Sequence, residues 1–452
     1  MKSKLLALLI AVVGAVAVGA DFWRPGFVKP PVDVPNGISN TVPNVKAASI
    51  PLVPQKGDER IDSEIRKLQE EARSKQQPPE VMKRLGWAFV RKARLSYDPG
   101  YYKLAEQCAL AVEFLHADDP DALLLRGHIL QSLHRFKEAE PIARKLTKAR
   151  HDSADEGLLG DVLMEQGRLN EAIQAYQEMV NLRPDLQSYT RVAHLRWLKG
   201  DLEGAIEVIE MAVTAASPRE PEPGAWAYTR MGTYWLQGGE MEVAEGAAVS
   251  ATEYAHDYPP ALLLRGRVLL AQGKLSAAIE FLQQAAALNP LPEYQWILAD
   301  ALRQAGQGEA ATQLEKKIIS NGATNDPRTF SLFLATRRQR LPESLQLARD
   351  ELEIREDVFT MDALAWALRA NGQTAEALDF CQKSLAEGTQ DARLFYHAGC
   401  IAMDSGRKVE ANSLFSRADA IKQMLFPSER SDLTQQFAAL KEIGVPRSMA
   451  QQ

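Results

Sequence analysis

A chain of 452 residues, 46% hydrophobic and 25% charged, has the make-up of an ordinary folded protein, which excludes a largely disordered chain or one built mainly of membrane spans. A formal net charge of −6 makes nucleic acid an unexpected partner, because phosphate backbones are held by clustered cations. Three cysteines, an odd and sparse number, do not make a disulfide framework.

In chain order, residues 1–20 begin with Lys2 and Lys4, continue without a charge, and end on the small residues Val18-Gly19-Ala20. That order predicts a cleaved secretory signal peptide and an exported, periplasmic or extracellular protein. An uncleaved anchor is the alternative, although the uncharged stretch 5–20 falls short of the ~20 residues that a membrane span needs. No cysteine follows the expected cleavage point, so a lipid anchor is not expected, and no membrane span remains after cleavage. Residues 21–57 hold seven prolines (Pro25, Pro30, Pro31, Pro35, Pro43, Pro51, Pro54) and read as a semi-stiff linker without fixed structure. Its aromatic head, Phe22-Trp23-Arg24-Pro25-Gly26-Phe27, could dock on a partner, but a structureless tail is the plainer reading. Residues 58–78 place Ile61, Ile65, Leu68 and Ala72 on one face of an amphipathic helix, closed by Pro78 and Pro79.

From there a ladder of small residues sets in: Gly127, Gly160, Ala193, Gly232, Gly266, Ala299, Leu332, Ala365 and Gly399, spaced 33, 33, 39, 34, 33, 33, 33 and 34 residues apart, with Leu332 the one large member. A second ladder follows twelve residues behind, through Ala139, Ala172, Ala205, Ala244, Ala278, Ala311, Ser344, Ala377 and Ala411. Between them a turn glycine recurs as Gly167, Gly200, Gly239, Gly273, Gly306, Gly372 and Gly406, with His134 and Gln339 as exceptions. Such periods mark stacked units, each of which buries its apolar face only against its neighbours. The unit is plainest from Pro259 to Leu291: Pro260 opens one helix, Gly273 breaks it, a second runs from Ala277 to Leu288, and Asn289-Pro290 closes it. Small residues belong where paired helices come closest, since larger ones force the backbones apart.

This pattern resembles the tetratricopeptide repeat, a helix–turn–helix unit with small residues at these two contacts and a closing proline, explicit here at Pro184 and Pro290. Nine units match from Pro120 to about Phe426, and a tenth, irregular one is read around Gly86 and Ala105. The resemblance implies an all-α fold, an α-solenoid: a right-handed superhelix of about ten units over residues 79–426, preceded by a disordered N-terminal segment and followed by a capping helix and tail at 427–452 with Leu433, Phe437 and Leu440 on one face. Three irregularities stand out. The 39-residue step holds an inserted, rigid turn at 217–224 with Pro218, Pro221 and Pro223; the unit at Leu332 lacks its small residue; and Arg337, Arg338 and Arg340 crowd the turn after it. That charge run most simply offsets the negative end of a helix, with an anion or partner contact as the rival reading. Cys381 and Cys400 lie in successive units and could approach each other, though buried small side chains describe them more simply.

No phosphate-cradling Gly-rich loop, H-E-x-x-H, G-x-S-x-G or C-x-x-C occurs, and the repeats leave no room for a catalytic domain, so no enzyme activity and no cofactor is expected. Function then belongs to surfaces. In tetratricopeptide proteins the first helix of each unit lines a concave groove, which implies His128, Asp161, His194, Trp197, Trp226, Thr229, Thr233 and Arg267, then Trp296, Asp300, Arg303, Phe330, Phe333 and Arg337, and finally Trp366, Arg369 and Tyr396. Trp, Tyr and Arg dominate binding hot spots, so this wall suits a protein or peptide segment; packing between helices is the competing reading of each aromatic. His128, Asp161 and His194 stand at equivalent places and have ligand chemistry for a transition metal, but helices ~8–10 Å apart make one shared ion difficult. Arg126 and Arg265 sit beside the small residue, either packing their stems or bridging to an acid of a neighbouring unit.

The sequence therefore predicts a non-catalytic scaffold that binds a protein segment along its groove and organises an envelope complex. A small-ligand or metal carrier and a membrane-tethered spacer are the alternatives. The oligomeric state is not legible.

Overall fold

The computed structural model describes residues 47–57, 59–75 and 78–442. The expected signal peptide, most of the proline-rich segment and the last ten residues lie outside them. Among the described residues there are helices and turns but no strand. A helix α1 (Arg60–Ser74) precedes the hairpins α2 (Pro79–Ser96) with α3 (Gly100–Leu115), α4 (Pro120–Ser132) with α5 (Phe136–Ala149), and α6 (Ser153–Glu165) with α7 (Leu169–Leu182). Next come α8 (Leu186–Leu198) with α9 (Leu202–Thr214), α10 (Pro221–Gln237) with α11 (Met241–Tyr254), α12 (Pro259–Ala271) with α13 (Leu275–Leu288), and α14 (Pro292–Gln304) with α15 (Gly308–Asn325). The last hairpins are α16 (Pro327–Arg337) with α17 (Leu341–Leu352), α18 (Val358–Ala370) with α19 (Thr374–Leu385), and α20 (Ala392–Asp404) with α21 (Lys408–Ala420), before a final helix α22 (Pro427–Glu442). The fold is an all-α solenoid of helical hairpins.

Local chemistry starts and stops these helices. Carboxylates of Asp119, Asp185, Asp326, Asp357 and Asp391 accept from backbone N–H groups in the first turns of α4, α8, α16, α18 and α20, satisfying donors that a helix start leaves orphaned. The expected inserted turn at 217–224 is in fact half helix: α10 begins at Pro221 and runs 17 residues, against 13 for most first helices. Pro221 and Pro223 sit in its first turn, where no intrahelical N–H bond is lost.

The paired helices meet at the small residues. A Cβ on Gly266 would stand 2.6 Å from Leu282 of its own hairpin, and one on Gly232 would stand 2.6 Å from Leu264 of the next. Contact this close is why glycine recurs there.

The unit at Leu332 departs from the ladder by one residue. The close contact of α16 and α17 is made by Ser331, whose hydroxyl donates to the Ser344 carbonyl (2.8 Å) while the Ser344 hydroxyl donates to the Ser331 carbonyl (2.8 Å). The turn shifts in step. Arg338, not Gln339, takes the left-handed backbone (φ 51°), and Arg340 takes it again (φ 46°), so an extra turn residue restores the register at Ser344. The apparent loss of a small residue is thus a slip, with serine doing by reciprocal hydrogen bonding what glycine does by absence.

The described residues divide into two compact units, 47–163 and 164–442, with the boundary inside α6. The first has a core of Ile65, Leu68, Phe89, Cys108 and Leu125, in which the buried Lys92 ammonium is held by Glu59 (2.9 Å) and Asp62 (3.2 Å). Arg126 bridges to Glu113 (2.8 Å) of the preceding hairpin, whereas Arg265 of the second unit lies over the Phe281 ring at 4.2 Å. The same sequence position therefore serves both readings offered for it. Within the second unit α22 lays Leu433 and Leu440 into the interior and Phe437 against Phe415.

Left-handed backbone costs an L-residue roughly 1–2 kcal/mol, and the Arg338 side chain is exposed. Arg338→Gly is expected to stabilise the protein by roughly 0.5–1 kcal/mol after the larger entropy of the unfolded glycine is deducted, read as a raised midpoint in urea unfolding; a lowered midpoint would contradict the register slip.

Candidate interaction face

The first helices of the second unit carry most of the expected interaction residues, and the structure packs them against later parts of the same unit. Trp197 is buried; its indole N–H donates to Gln237 Oε1 (2.7 Å), and its ring lies near His194 (5.3 Å), Tyr234 (6.2 Å) and, from far along the chain, Phe359 (5.9 Å). Trp296 is fully buried between Phe333 (5.6 Å) and Phe426 (5.2 Å), both edge-on, with the guanidinium groups of Arg337 and Arg393 near its face. Trp366 stacks on His397 at 3.9 Å and donates to Thr336 Oγ1 (2.9 Å), while Arg369 lies over its ring (4.7 Å) and pairs with Asp404 (2.7 Å). Tyr396 donates to Asp432 (2.7 Å), and Phe330 and Trp226 are buried. The hydroxyls of Thr229 and Thr233 donate to carbonyls of their own helix, at Ala225 and Thr229. Arg303 is exposed at its side chain, where it pairs with Glu315 (2.8 Å).

Asp300 is the polar centre of this arrangement. Its buried carboxylate takes Arg337 (2.5 Å) on one oxygen and the backbone N–H of Ser428 (3.1 Å) and the Ser428 hydroxyl on the other. Arg337 also reaches Glu315 (3.0 Å), so it ties α16 to α14 and α15. That is a structural assignment for one of the three turn arginines.

What covers the face is the chain itself. Three connections between later hairpins, 353–357, 386–391 and 421–428, lie across the ends of earlier first helices. The last carbonyls of a helix have no intrahelical donor and need one from elsewhere. Here the Glu165 carbonyl accepts from Glu356 N–H (3.2 Å), the Leu198 carbonyl from the Thr389 hydroxyl (2.5 Å), and the Leu236 and Gln237 carbonyls from the Gln423 amide (3.1 and 2.8 Å). Bonds also run the other way, from the Gln237 amide to the Gln390 carbonyl (2.6 Å) and from Arg267 to the Met424 carbonyl (2.8 Å). Charges join them: buried Arg355 spans Glu165 (3.2 Å) and Glu351 (2.7 Å), and Lys199 pairs with Glu387. Gln237, Arg355, Glu387, Thr389, Gln390 and Gln423 were not singled out by sequence. They sit 153 to 191 residues from most of their partners, a separation at which no local pattern signals contact.

In the first unit, Asp161 is buried and His128 half-buried, with the His128 ring 5.2 Å from Trp87. Among the described residues no group of three or more His, Cys, Asp or Glu side chains is placed to hold a metal ion. His194 accepts at Nδ1 from Arg230 (2.9 Å), and a cation so near is a poor companion for a metal. Burial first, and the Arg230 charge second, hold the His194 imidazole well below its ordinary value of 6.5. All three cysteines are free and buried, and burial pushes Cys381 and Cys400 up to about 12, so both are inert thiols. No helix among the described residues is long and apolar enough to cross a membrane.

A family model described as "Tetratricopeptide repeat" matches residues 124–186, 158–221, 229–291 and 263–326, and a second of the same description matches 360–387. No curated protein matches the chain in sequence. Among solved structures, a human IFIT1 dimer with PPP-AAAA is similar over 72% of this chain and 77% of its own (16% identity, TM-score 0.49). A tetratricopeptide repeat protein of Parabacteroides merdae is similar over 59% of this chain and 99% of its own (19%, TM-score 0.32). PilW, a type IV pilus biogenesis factor, is similar over 45% and 94% (11%, TM-score 0.39).

A histidine with a folded value below its unfolded one is protonated more readily by the unfolded chain. The stability it contributes is whole above about pH 6.5 and falls as pH drops below it, by up to ~1.4 kcal/mol per unit. Urea unfolding of the wild type between pH 7.5 and 5.5 should show this loss, and His194→Asn, which keeps an acceptor near Nδ1 without a titrating ring, should flatten it; equal slopes for the two would rule His194 out as the source.

Proposed function

The chain belongs to the tetratricopeptide-repeat family, and we propose that it is a non-catalytic scaffold that takes up a polypeptide segment along the first-helix face of its second unit and organises an extracytoplasmic complex. The observation that carries this reading is what the face already holds. Glutamine, threonine and arginine side chains of the first helices and of the returning connections exchange hydrogen bonds with main-chain carbonyls, and Trp197 and Trp296 receive the rings of Phe359 and Phe426. Main-chain recognition with aromatic anchors is how a groove accepts extended polypeptide of varied sequence. The expected contact residues His194, Trp197, Trp226, Arg267, Trp296, Asp300, Phe333, Arg337, Trp366, Arg369 and Tyr396 belong to this face; His128 and Asp161 are proposed contact residues of the first unit taken by itself.

Export is part of the proposal and rests on the order of charge, apolar run and small residues in 1–20. A mature N-terminus at Asp21 in the protein recovered from the envelope fraction supports it; an intact Met1 start in the cytosol refutes it.

A photo-reactive amino acid placed at half-buried Thr233, with one at the exposed Val409 as an outer control, should crosslink a discrete protein from the inner position, and a peptide of residues 384–393 should compete with that adduct. Adducts that form equally at both positions, or that the peptide leaves unchanged, would refute binding along this face.

A further inference from the structure

We infer that the connection 386–391 is an internal ligand of the second unit: a releasable plug that occupies the first-helix face and must leave before a partner polypeptide enters. This rests on the reading that the face binds polypeptide.

Two kinds of contact hold the second unit together, and they differ in chemistry. Consecutive hairpins meet through alanine, glycine and aliphatic side chains, as at Gly232 against Leu264 and Gly266 against Leu282. The connection 386–391 meets the face through polar bonds, Thr389 to the Leu198 carbonyl, Gln237 to the Gln390 carbonyl, and Lys199 with Glu387, whereas 421–428 adds the buried side chains of Leu425 and Phe426 to its polar bonds and is anchored by them. Parting apolar faces in water costs free energy, whereas carbonyls, amides and charges find water as a substitute partner. The seam along 386–391 is therefore the one along which the unit parts at least cost, and the groups it uncovers are main-chain carbonyls and amide side chains, which suit an incoming peptide.

One turn glycine, Gly200, marks where the plug bears on the face, and Gly167 marks where the connection 353–357 does. At Gly200 (φ +82°) a Cβ would stand 2.5 Å from the Gly388 carbonyl oxygen, and at Gly167 (φ +72°) 2.5 Å from that of Glu356. At Gly273 (φ +76°), Gly306 and Gly372, the same turn position has nothing within 4 Å. The backbone conformation asks for glycine at all of these turns. Close approach of another segment asks for it again at Gly167 and Gly200.

That difference gives the test. Gly200→Ala and Gly273→Ala carry the same backbone strain, and only the former pushes the 386–391 connection away. Hydrogen exchange should be raised tenfold or more in 386–391 by Gly200→Ala and left unchanged there by Gly273→Ala. A fluorescent peptide of residues 384–393, added in trans, should bind Gly200→Ala at least tenfold more tightly than wild type. It should lose that binding when the plug is held by a short bis-maleimide bridge between cysteines introduced as Lys199→Cys and Glu387→Cys. Should Gly200→Ala not fold, Thr389→Val removes the hydroxyl bond to Leu198 with little change of shape and takes its place in every arm. Equal exchange in 386–391 in the two glycine variants, or equal peptide binding by bridged and unbridged chains, would overturn the plug. Release without peptide binding would uphold the plug and overturn the polypeptide-binding reading of the face.

Discussion

Backbone-close contact between paired helices is the constraint on which the rest of this structure depends. A hairpin of 13-residue helices has too little apolar surface to be stable alone and gains it only by seating against the next hairpin. Seating at that distance needs a position with no side chain to spare, which glycine supplies at Gly232, Gly266 and Gly399, and which Ser331 and Ser344 supply by bonding to each other's carbonyls. The serine pair shows that the requirement is distance between backbones and not the identity of a residue. It also shows how the array absorbs a fault, since one residue fewer before the contact is returned as one more in the turn at Arg338 and Arg340.

Regular seating has a second consequence in the second unit. Each first helix ends in a left-handed turn and leaves carbonyls without donors at its C-terminal end. Those ends recur at regular intervals, and so do the connections between later hairpins; the bonds to Glu165, Leu198 and Leu236 run in the same order as the connections that supply them. The closure is a repeat of contacts produced by a repeat of units, which is why it needs no special motif. Its polar chemistry sets it apart from the seams between neighbours, and its aromatic anchors, Phe359 on Trp197 and Phe426 on Trp296, give it geometry.

The sequence made the helices, their pairing and their family readable, because these depend on residues fewer than 40 apart: proline and aspartate at helix starts, glycine in turns, small residues at contacts. It also pointed to Trp197, Trp296, Arg267 and Asp300 as one face. What those residues touch was not readable. Sequence spacing alone leaves open whether a tryptophan meets a partner or its own chain, and Gln423 or Thr389 carries no mark that distinguishes it from any polar residue in a loop. The misread positions share a cause. Leu332 and Gln339 were placed by counting, and counting misses a compensated slip, while the prolines at 221 and 223 look like a loop until the helix start that tolerates them is known. Arg126 and Arg265, identical in local sequence, find an acid in one case and a phenyl ring in the other, because the deciding residue, Glu113 or Phe281, lies on another helix.

The central claim is that the later connections of the second unit lie on its earlier first helices. A zero-length carbodiimide coupling joins an amine only to a carboxylate in contact with it, and Lys199 with Glu387 is such a pair, 188 residues apart. Mass spectrometry of the coupled monomer is predicted to find an intramolecular Lys199–Glu387 peptide. Its absence, under conditions that couple Lys92 to Glu59 within the first unit, would contradict the closure.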